Sequence, residues 1–161
     1  MDYDAEKIKQ YLRFALAKED SCMKHAVATV IKTPSGRYII GWSGPPTGIK
    51  HDECTRPDSS AGEDLHICPA IHAERRALSL AAREGISVKD ATIFLTRFPC
   101  SDCTASIIES GILQLVLVTN SYDAQGALVS DMRGLKYGFE LSDSMLKEAK
   151  INVIIDPNIK P

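Results

Sequence analysis

The chain has 161 residues, enough for one domain with a substantial core. Hydrophobic residues make up 44% and charged residues 25%, as in ordinary globular proteins, which excludes a disordered or fibrous chain. The net charge of −2 at pH 7 gives no general attraction to nucleic acid or to an anionic membrane. No apolar run approaches the ~20 residues of a membrane-spanning helix, and the acidic N-terminus is unlike a secretory signal. We therefore expect a cytoplasmic protein in which residues 1–161 form a single domain.

The first third of the chain predicts a helix followed by a hairpin. Apolar residues at helical spacing predict an amphipathic helix over residues 3–19. Strands are predicted at 26–32 and 37–42, and the turn residues between them make the pair a hairpin. Residues 43–68 are rich in Gly, Pro, Ser and Asp and show no periodicity. An irregular segment of that length is usually functional or is held in place by something else.

The remainder of the chain alternates between helices and strands. The predicted helices are 72–83, 99–110 and 141–150, the predicted strands are 91–98, 113–119 and 151–155, and a loop with a short helix follows residue 119. This alternation implies right-handed crossovers and a mostly parallel sheet, with the first hairpin antiparallel. The predicted fold class is α/β.

Two short motifs provide candidate metal ligands. Residues 72–74 read His-Ala-Glu, and residues 99–103 read Pro-Cys-Ser-Asp-Cys. The thiols of a C-x-x-C motif at a helix start are favoured as thiolates, the form that binds metal. One histidine and two cysteines give three protein ligands, which leave the fourth position of a tetrahedral zinc open to water, as in catalytic sites.

These ligands are His72, Cys100 and Cys103. Glu74 lies two residues beyond the histidine, where a carboxylate suits general acid/base work on the water rather than metal binding. The order H-x-E then P-C-x-x-C is the signature of zinc nucleobase deaminases.

The wider sequence resembles the deoxycytidylate (dCMP) deaminase family of the cytidine deaminase-like superfamily. The resemblance runs from about residue 8 to residue 155 and is most specific in the metal motifs, in residues 107–112 and in the Gly-Pro loop at 41–48. It implies a three-layer sandwich, a mixed five-stranded sheet with helices on both faces. It also implies zinc-dependent hydrolysis of dCMP, or a closely related cytosine nucleotide, to dUMP and ammonia by a homo-oligomer, either dimer or hexamer.

The resemblance also suggests three substrate contacts, two of which depart from the family pattern. Ser43 stands where the family has a sugar-binding Asn, and Arg76 replaces the Asn of the usual His-Ala-Glu-x-Asn-Ala. Arg76 shares a helix face with His72 and could reach a substrate phosphate, or could pair with an acid in a subunit interface. Tyr122 follows the fourth strand at the edge where ligands bind in α/β sheets, and resembles a family tyrosine that lies beside the nucleotide.

Three cysteines are left outside the catalytic motifs. Cys22, Cys54 and Cys68 lie in or near the irregular segment, together with His66. Three cysteines and one histidine could form a closed structural zinc site that orders this segment, and His51 competes with His66 for the fourth place. The alternative is that these cysteines are ordinary buried or loop thiols.

Two other functions compete with dCMP deamination. One is deamination of another base or nucleoside, or of an adenosine in tRNA, although 19 Lys and Arg against 21 Asp and Glu give no basic surface for a polynucleotide. The other is a non-catalytic zinc module that serves as an interaction platform, which would have no use for Glu74. Apolar side chains at Ile107, Ile108 and Ile112 add weak support for assembly, because they could exceed what one small core covers.

Overall fold

The computed structural model describes residues 3–60, 62–118 and 137–161. The helices are α1 (Ala5–Leu16), α2 (Ala73–Arg83), α3 (Ser101–Glu109) and α4 (Phe139–Glu148), and the strands are β1 (Ala28–Lys32), β2 (Tyr38–Trp42), β3 (Thr92–Leu95), β4 (Gln114–Leu117) and β5 (Asn152–Ile155). Short 3₁₀ helices span Leu65–Ile67 and Pro157–Ile159. Each predicted element in the described residues is present, and the predicted loop and short helix after residue 119 lie largely outside them.

The strands form one mixed sheet in the order β2-β1-β3-β4-β5. Strand β1 pairs antiparallel with both β2 and β3, whereas β3, β4 and β5 run parallel. Because β2 and β3 are both antiparallel to β1, they run in the same direction, and the segments that lead into α2 and α3 leave the sheet at the same edge. The predicted antiparallel hairpin and parallel half of the sheet are confirmed.

Helices cover both faces of the sheet. On one face, α2, α3 and α4 bury alternate strand residues such as Ile93 and Leu95. On the other face, α1 packs against the intervening residues, including Phe94 and Val116. No helix among the described residues is long and apolar enough to cross a membrane.

The predicted apolar face for assembly is wrong. Ile107 and Ile112 are buried in the core beneath the sheet, and Ile108 packs against the same cluster. These side chains pack within their own chain and contribute to its core, so they do not form an apolar face set aside for a partner.

A close backbone approach fixes α2 against the sheet. Gly41 of β2 lies so near the start of α2 that a Cβ atom there would sit 2.2 Å from the carbonyl oxygen of Ala73 and 3.0 Å from the Cβ of Ala77. Both atoms belong to a helix that is itself packed on the sheet. The absence of a side chain at this position therefore sets how closely the first turn of α2 can lie to the sheet.

We expect Gly41→Ala to destabilise the protein by about 1–3 kcal/mol, the usual cost of overpacking, and to displace the first turn of α2. Thermal unfolding measures the first effect, and the zinc content of the purified protein measures the second. Gly36→Ala is the control, since a Cβ in that hairpin turn meets nothing within 4 Å although φ is +81°. It should cost about 1 kcal/mol through the positive φ and leave zinc content unchanged. Equal losses of stability and equal zinc contents in the two variants would contradict a close approach of Gly41 to α2.

Candidate active site

Two helix N-termini converge beside the sheet edge. His72 occupies the N-cap position of α2, and Cys100 occupies the N-cap position of α3. Helix α3 begins at Ser101, two residues later than the predicted start at residue 99. N-cap residues are usually Ser, Thr, Asp or Asn, whose side chains bond to the helix backbone. Neither His72 nor Cys100 caps its own helix in this way. Both side chains are instead directed at one another.

The three predicted metal ligands lie together. The Nδ1 atom of His72 is 3.5 Å from the Sγ atom of Cys100 and 3.4 Å from the Sγ atom of Cys103. A tetrahedral ion with Zn–S bonds of about 2.3 Å and a Zn–N bond of about 2.1 Å separates its nitrogen and sulfur ligands by about 3.6 Å. In the described part of the chain this is the only group of three or more such side chains whose donor atoms lie within 4.8 Å of one another. The donor set and its spacing fit zinc with one position left open.

The electrostatics of the cluster favour metal binding by a thiolate. Hydrogen bonds with Cys103 and then with His72 lower the pKa of the Cys100 thiol to about 4. The same contact raises the pKa of Cys103, which burial raises further. A hydrogen bond to Cys100 also raises the pKa of His72. Without metal, the three side chains share protons through hydrogen bonds. A metal ion displaces these protons when it binds.

Glu74 is a buried carboxyl group beside this cluster. It lies in the first turn of α2, is only 4% exposed, and contacts Cys103. Burial raises the pKa of Glu74 above the ordinary value for a glutamate. A raised pKa makes this carboxyl group a stronger base than an exposed glutamate, which suits a general acid/base.

A cavity of about 350 Å³ opens onto the cluster, within the usual range for small-molecule sites. Its apolar wall includes Phe98 and Phe139, whose rings meet edge to face at 5.6 Å between centroids. Arg56, Arg75 and Arg97 also line it. The cavity thus combines aromatic apolar surface with positive charge, as suits a small aromatic anion.

Arg76 does not line this cavity, so the prediction that it contacts substrate is not supported. Its Nε donates to the carbonyl of Trp42 at 2.8 Å, and its Nη2 donates to the carbonyls of Gly44 at 3.0 Å and Pro45 at 2.6 Å. The guanidinium also stacks on the Trp42 ring at 4.4 Å. Arg76 therefore ties the start of the irregular segment to α2, with its donors directed away from the cavity.

Ser43 does line the cavity. Its hydroxyl donates to the carbonyl of His25 and accepts from the backbone N–H of Val27, both at 2.9 Å. The hydroxyl proton is committed to the backbone, so Ser43 can offer a ligand only its remaining acceptor capacity. The predicted contact with Tyr122 falls outside the described residues.

The predicted second zinc site is not assembled. The side chains of Cys22 and Cys68 line the active-site cavity, whereas Cys54 and His66 do not. No three of these four residues, all of which the structure describes, bring their donor atoms within 4.8 Å of one another, and His51 does not join such a group. All five cysteines are free thiols. The geometry gives a closed Cys₃His site no support.

Several cavity residues were not predicted from the sequence. Arg97 and Phe98 directly follow β3 at the carboxyl edge of the sheet, a position that could have identified them. Phe139 begins α4 and reaches the cavity from a distant part of the chain. Arg56 lies in the irregular segment, where no periodicity marks its position.

The sequence matches the family described as the cytidine and deoxycytidylate deaminase zinc-binding region over residues 4–119. That range includes both helix starts, all three metal donors and Glu74. The chain belongs to this family. Zinc is accordingly the metal for which His72, Cys100 and Cys103 form the donor set.

Individual relatives agree with this assignment. The deoxycytidylate deaminase of Saccharomyces cerevisiae is 31% identical over 103 residues, which are 62% of this chain and 33% of that protein. The chain thus spans about a third of the length of this curated relative.

Solved structures confirm the fold. The dCMP deaminase of cyanophage S-TIM5, in complex with dCMP and dUMP, superposes with a TM-score of 0.64 at 20% identity, covering 95% of this chain and 98% of that one. A diaminohydroxyphosphoribosylaminopyrimidine deaminase and reductase from Thermotoga maritima gives 0.60 at 20% identity, covering 95% of this chain and 37% of that one. At these identities the likeness shows the cytidine deaminase-like fold alone.

We expect the purified protein to hold about one zinc ion per chain, and Cys100→Ser to lose it, because a hydroxyl is a poor substitute for a thiolate ligand. Elemental analysis after dialysis measures the content. Cys54→Ser is the matched control, since Cys54 lies outside the cavity. Two zinc ions in the wild type, one of them lost in Cys54→Ser, would contradict this assignment and restore the second site.

Proposed function

We propose that the chain is a zinc-dependent hydrolytic deaminase that converts dCMP, or a closely related cytosine nucleotide, to dUMP and ammonia. The observation that carries this proposal is the three-donor cluster at two helix N-termini with a buried carboxyl group beside it in one cavity. A structural zinc site is closed by a fourth protein ligand, whereas this cluster offers three. The membership of the family and the names of the relatives support the same activity.

The proposed reaction adds water at C4 of the cytosine ring and releases the amino group as ammonia. Zinc, when bound by His72, Cys100 and Cys103, supplies Lewis acidity that lowers the pKa of a water molecule towards neutrality. Glu74 accepts a proton from the attacking water and delivers it to ring nitrogen N3. It then takes the proton of the C4 hydroxyl and passes it to the amino group, which leaves as ammonia as the C4 carbonyl forms. Burial suits Glu74 to these transfers, since a raised pKa strengthens the carboxylate as the base that takes the first proton.

The cavity walls position the base and exclude water. Phe98 and Phe139 present apolar surface on which a pyrimidine ring can rest. Arg76 holds the backbone at residues 42–45, and so fixes the part of the wall that carries Ser43. The arginines at the cavity suit an anionic substrate, which favours a nucleotide over a free base or nucleoside.

We expect Glu74→Gln to lower the rate of dCMP deamination by about 10⁴-fold or more, because one group serves several proton transfers and each is typically worth about 10²–10⁴. Ammonia release by zinc-loaded protein measures the rate. The control is Glu84→Gln at the far end of α2, where the carboxylate is exposed beside Arg83. Zinc content should be unchanged in both variants.

Retention of full activity by Glu74→Gln would overturn the role of Glu74. A panel of dCMP, CMP, deoxycytidine, cytosine and a tRNA adenosine stem-loop then tests the substrate class. Deoxycytidine turned over as efficiently as dCMP would contradict a nucleotide substrate. Zinc-loaded wild type that releases ammonia from none of them would favour the non-catalytic alternative.

We also propose that the chain forms a homo-oligomer, a dimer or a hexamer, as its resemblance to the family implies. Large apolar side chains are exposed on several elements, including Leu113 ahead of β4 and Ile155 on the edge strand β5. We expect sedimentation equilibrium to give two or six times the 17.6 kDa of one chain, because association removes such side chains from water. A mass of one chain at micromolar concentration would contradict the proposal.

A further inference from the structure

The active-site cavity contains a buried arginine that the mechanism does not use. Arg56 belongs to the irregular segment, is only 6% exposed, and lines the same cavity as Glu74. Its Nη1 donates to the carbonyl of Glu63 at 2.6 Å, and Cys68 and Tyr137 lie beside the guanidinium. A guanidinium carries five donors, and none of these described neighbours is a carboxylate.

No carboxylate within the described residues forms an ion pair with Arg56. Among the described residues that line the cavity, the acids are Glu74, which is buried against Cys103, and Asp102, which is exposed at the start of α3. An anion that enters the cavity can therefore form charge-assisted hydrogen bonds with a guanidinium that no described carboxylate holds. Arg56 is therefore placed to bind the anionic group of a ligand in this cavity.

The other two cavity arginines are poorer candidates. Arg75 and Arg97 are exposed to solvent. Water screens an exposed charge, so its pair with a ligand is worth little. A buried guanidinium forms stronger charge-assisted hydrogen bonds and can hold two oxygens of a phosphate at once.

The position of Arg56 depends on a second cation, Lys24. The Lys24 ammonium donates to the carbonyls of Arg56 at 2.8 Å and Pro57 at 2.9 Å, and also to the carbonyl of Ser59. These three bonds use all three donors of the ammonium and join the segment before β1 to the backbone that carries Arg56. Lys24 is thus a positioning residue, since it holds the backbone of Arg56 without lining the cavity itself.

We infer that Arg56, held in place by Lys24, binds the phosphate group of the nucleotide and so determines selection of nucleotide over nucleoside. This inference rests on the proposed function, because it takes the base of the same substrate to lie at Glu74. The phosphate is the only strongly anionic group of dCMP, and Arg56 is the only buried cavity arginine among the described residues. Phosphate binding, predicted for Arg76, is thus assigned to Arg56 of the irregular segment.

Ligand binding tests the inference without any turnover. Calorimetry on zinc-loaded Glu74→Gln protein gives the Kd of dCMP and of deoxycytidine, and Arg56→Gln is added to that background. We expect the Kd of dCMP to rise by about 10- to 100-fold, as for loss of hydrogen bonds to a charged group, while the Kd of deoxycytidine stays within about twofold. Arg56→Lys keeps the positive charge but loses the paired N–H donors of the guanidinium, so its Kd for dCMP should lie between those of the parent and Arg56→Gln.

Three further variants separate recognition from structure. Arg97→Gln removes an exposed arginine from the same cavity and should change the Kd of dCMP by less than about threefold. Lys24→Met should weaken dCMP binding and spare deoxycytidine, and Lys24→Arg should restore dCMP binding because its guanidinium can donate to the same carbonyls. Thermal unfolding confirms that each variant is folded.

The outcomes distinguish the inference from the proposed function. If Arg56→Gln raises both Kd values equally, Arg56 only supports the cavity wall and the inference is overturned. It is also overturned if the Glu74→Gln parent binds dCMP no better than deoxycytidine. Absence of ammonia release from wild type with dCMP, alongside Arg56-dependent binding of dCMP, would overturn the proposed function and leave the phosphate site standing.

Discussion

The convergence of two helix N-termini is the constraint on which the site depends. His72 and Cys100 each take an N-cap position without capping a helix, so the metal donors are placed by backbone geometry. That geometry requires α2 and α3 to pack on the same face of the sheet, which their shared core achieves. It also requires the first turn of α2 to lie against β2, which Gly41 allows. Burial of Glu74 follows, since its side chain projects from the turn that is pressed between the sheet and the metal donors.

Cations bound to backbone carbonyls organise the irregular segment. Arg76 fixes its beginning at residues 42–45, and Lys24 fixes its middle at residues 56–59. A loop that buries little apolar surface cannot offset its loss of conformational entropy through packing, so it needs strong polar contacts. Charged donors to carbonyls supply contacts of about 1.5–3 kcal/mol each. The segment is thus held at its beginning by Arg76 and at its middle by Lys24.

The sequence predicted the elements that show a regular spacing of apolar residues and the site residues that lie in a recognisable motif. Strands such as β3 and helices such as α2 follow from apolar spacing, and the three metal donors with Glu74 follow from two short motifs. The partners of Arg76 could not be predicted in this way, because every residue carries a backbone carbonyl and none is marked in the sequence. The number of cysteines in and near the irregular segment predicted a second zinc site, but their donor atoms do not come together. Closeness along the sequence of an irregular segment does not show where its side chains point. Ile107 was predicted to support assembly but lies in the core of its own chain. Apolar spacing shows which face of a helix is buried but not which element covers it.

The distribution of positive charge around the cavity explains how an acid/base group can persist among arginines. A guanidinium close to Glu74 would lower its pKa and hold it ionised, and so prevent it from delivering a proton. The main contributions to the pKa of Glu74 are burial, its own backbone, His72 and the two cysteines, and none is an arginine. Arg76 is turned towards the carbonyls of residues 42–45, and Arg56 is held at the carbonyl of Glu63. The carbonyls that hold the irregular segment therefore also fix the positions of these two guanidinium groups, whereas Arg75, which lines the cavity as well, is exposed to solvent.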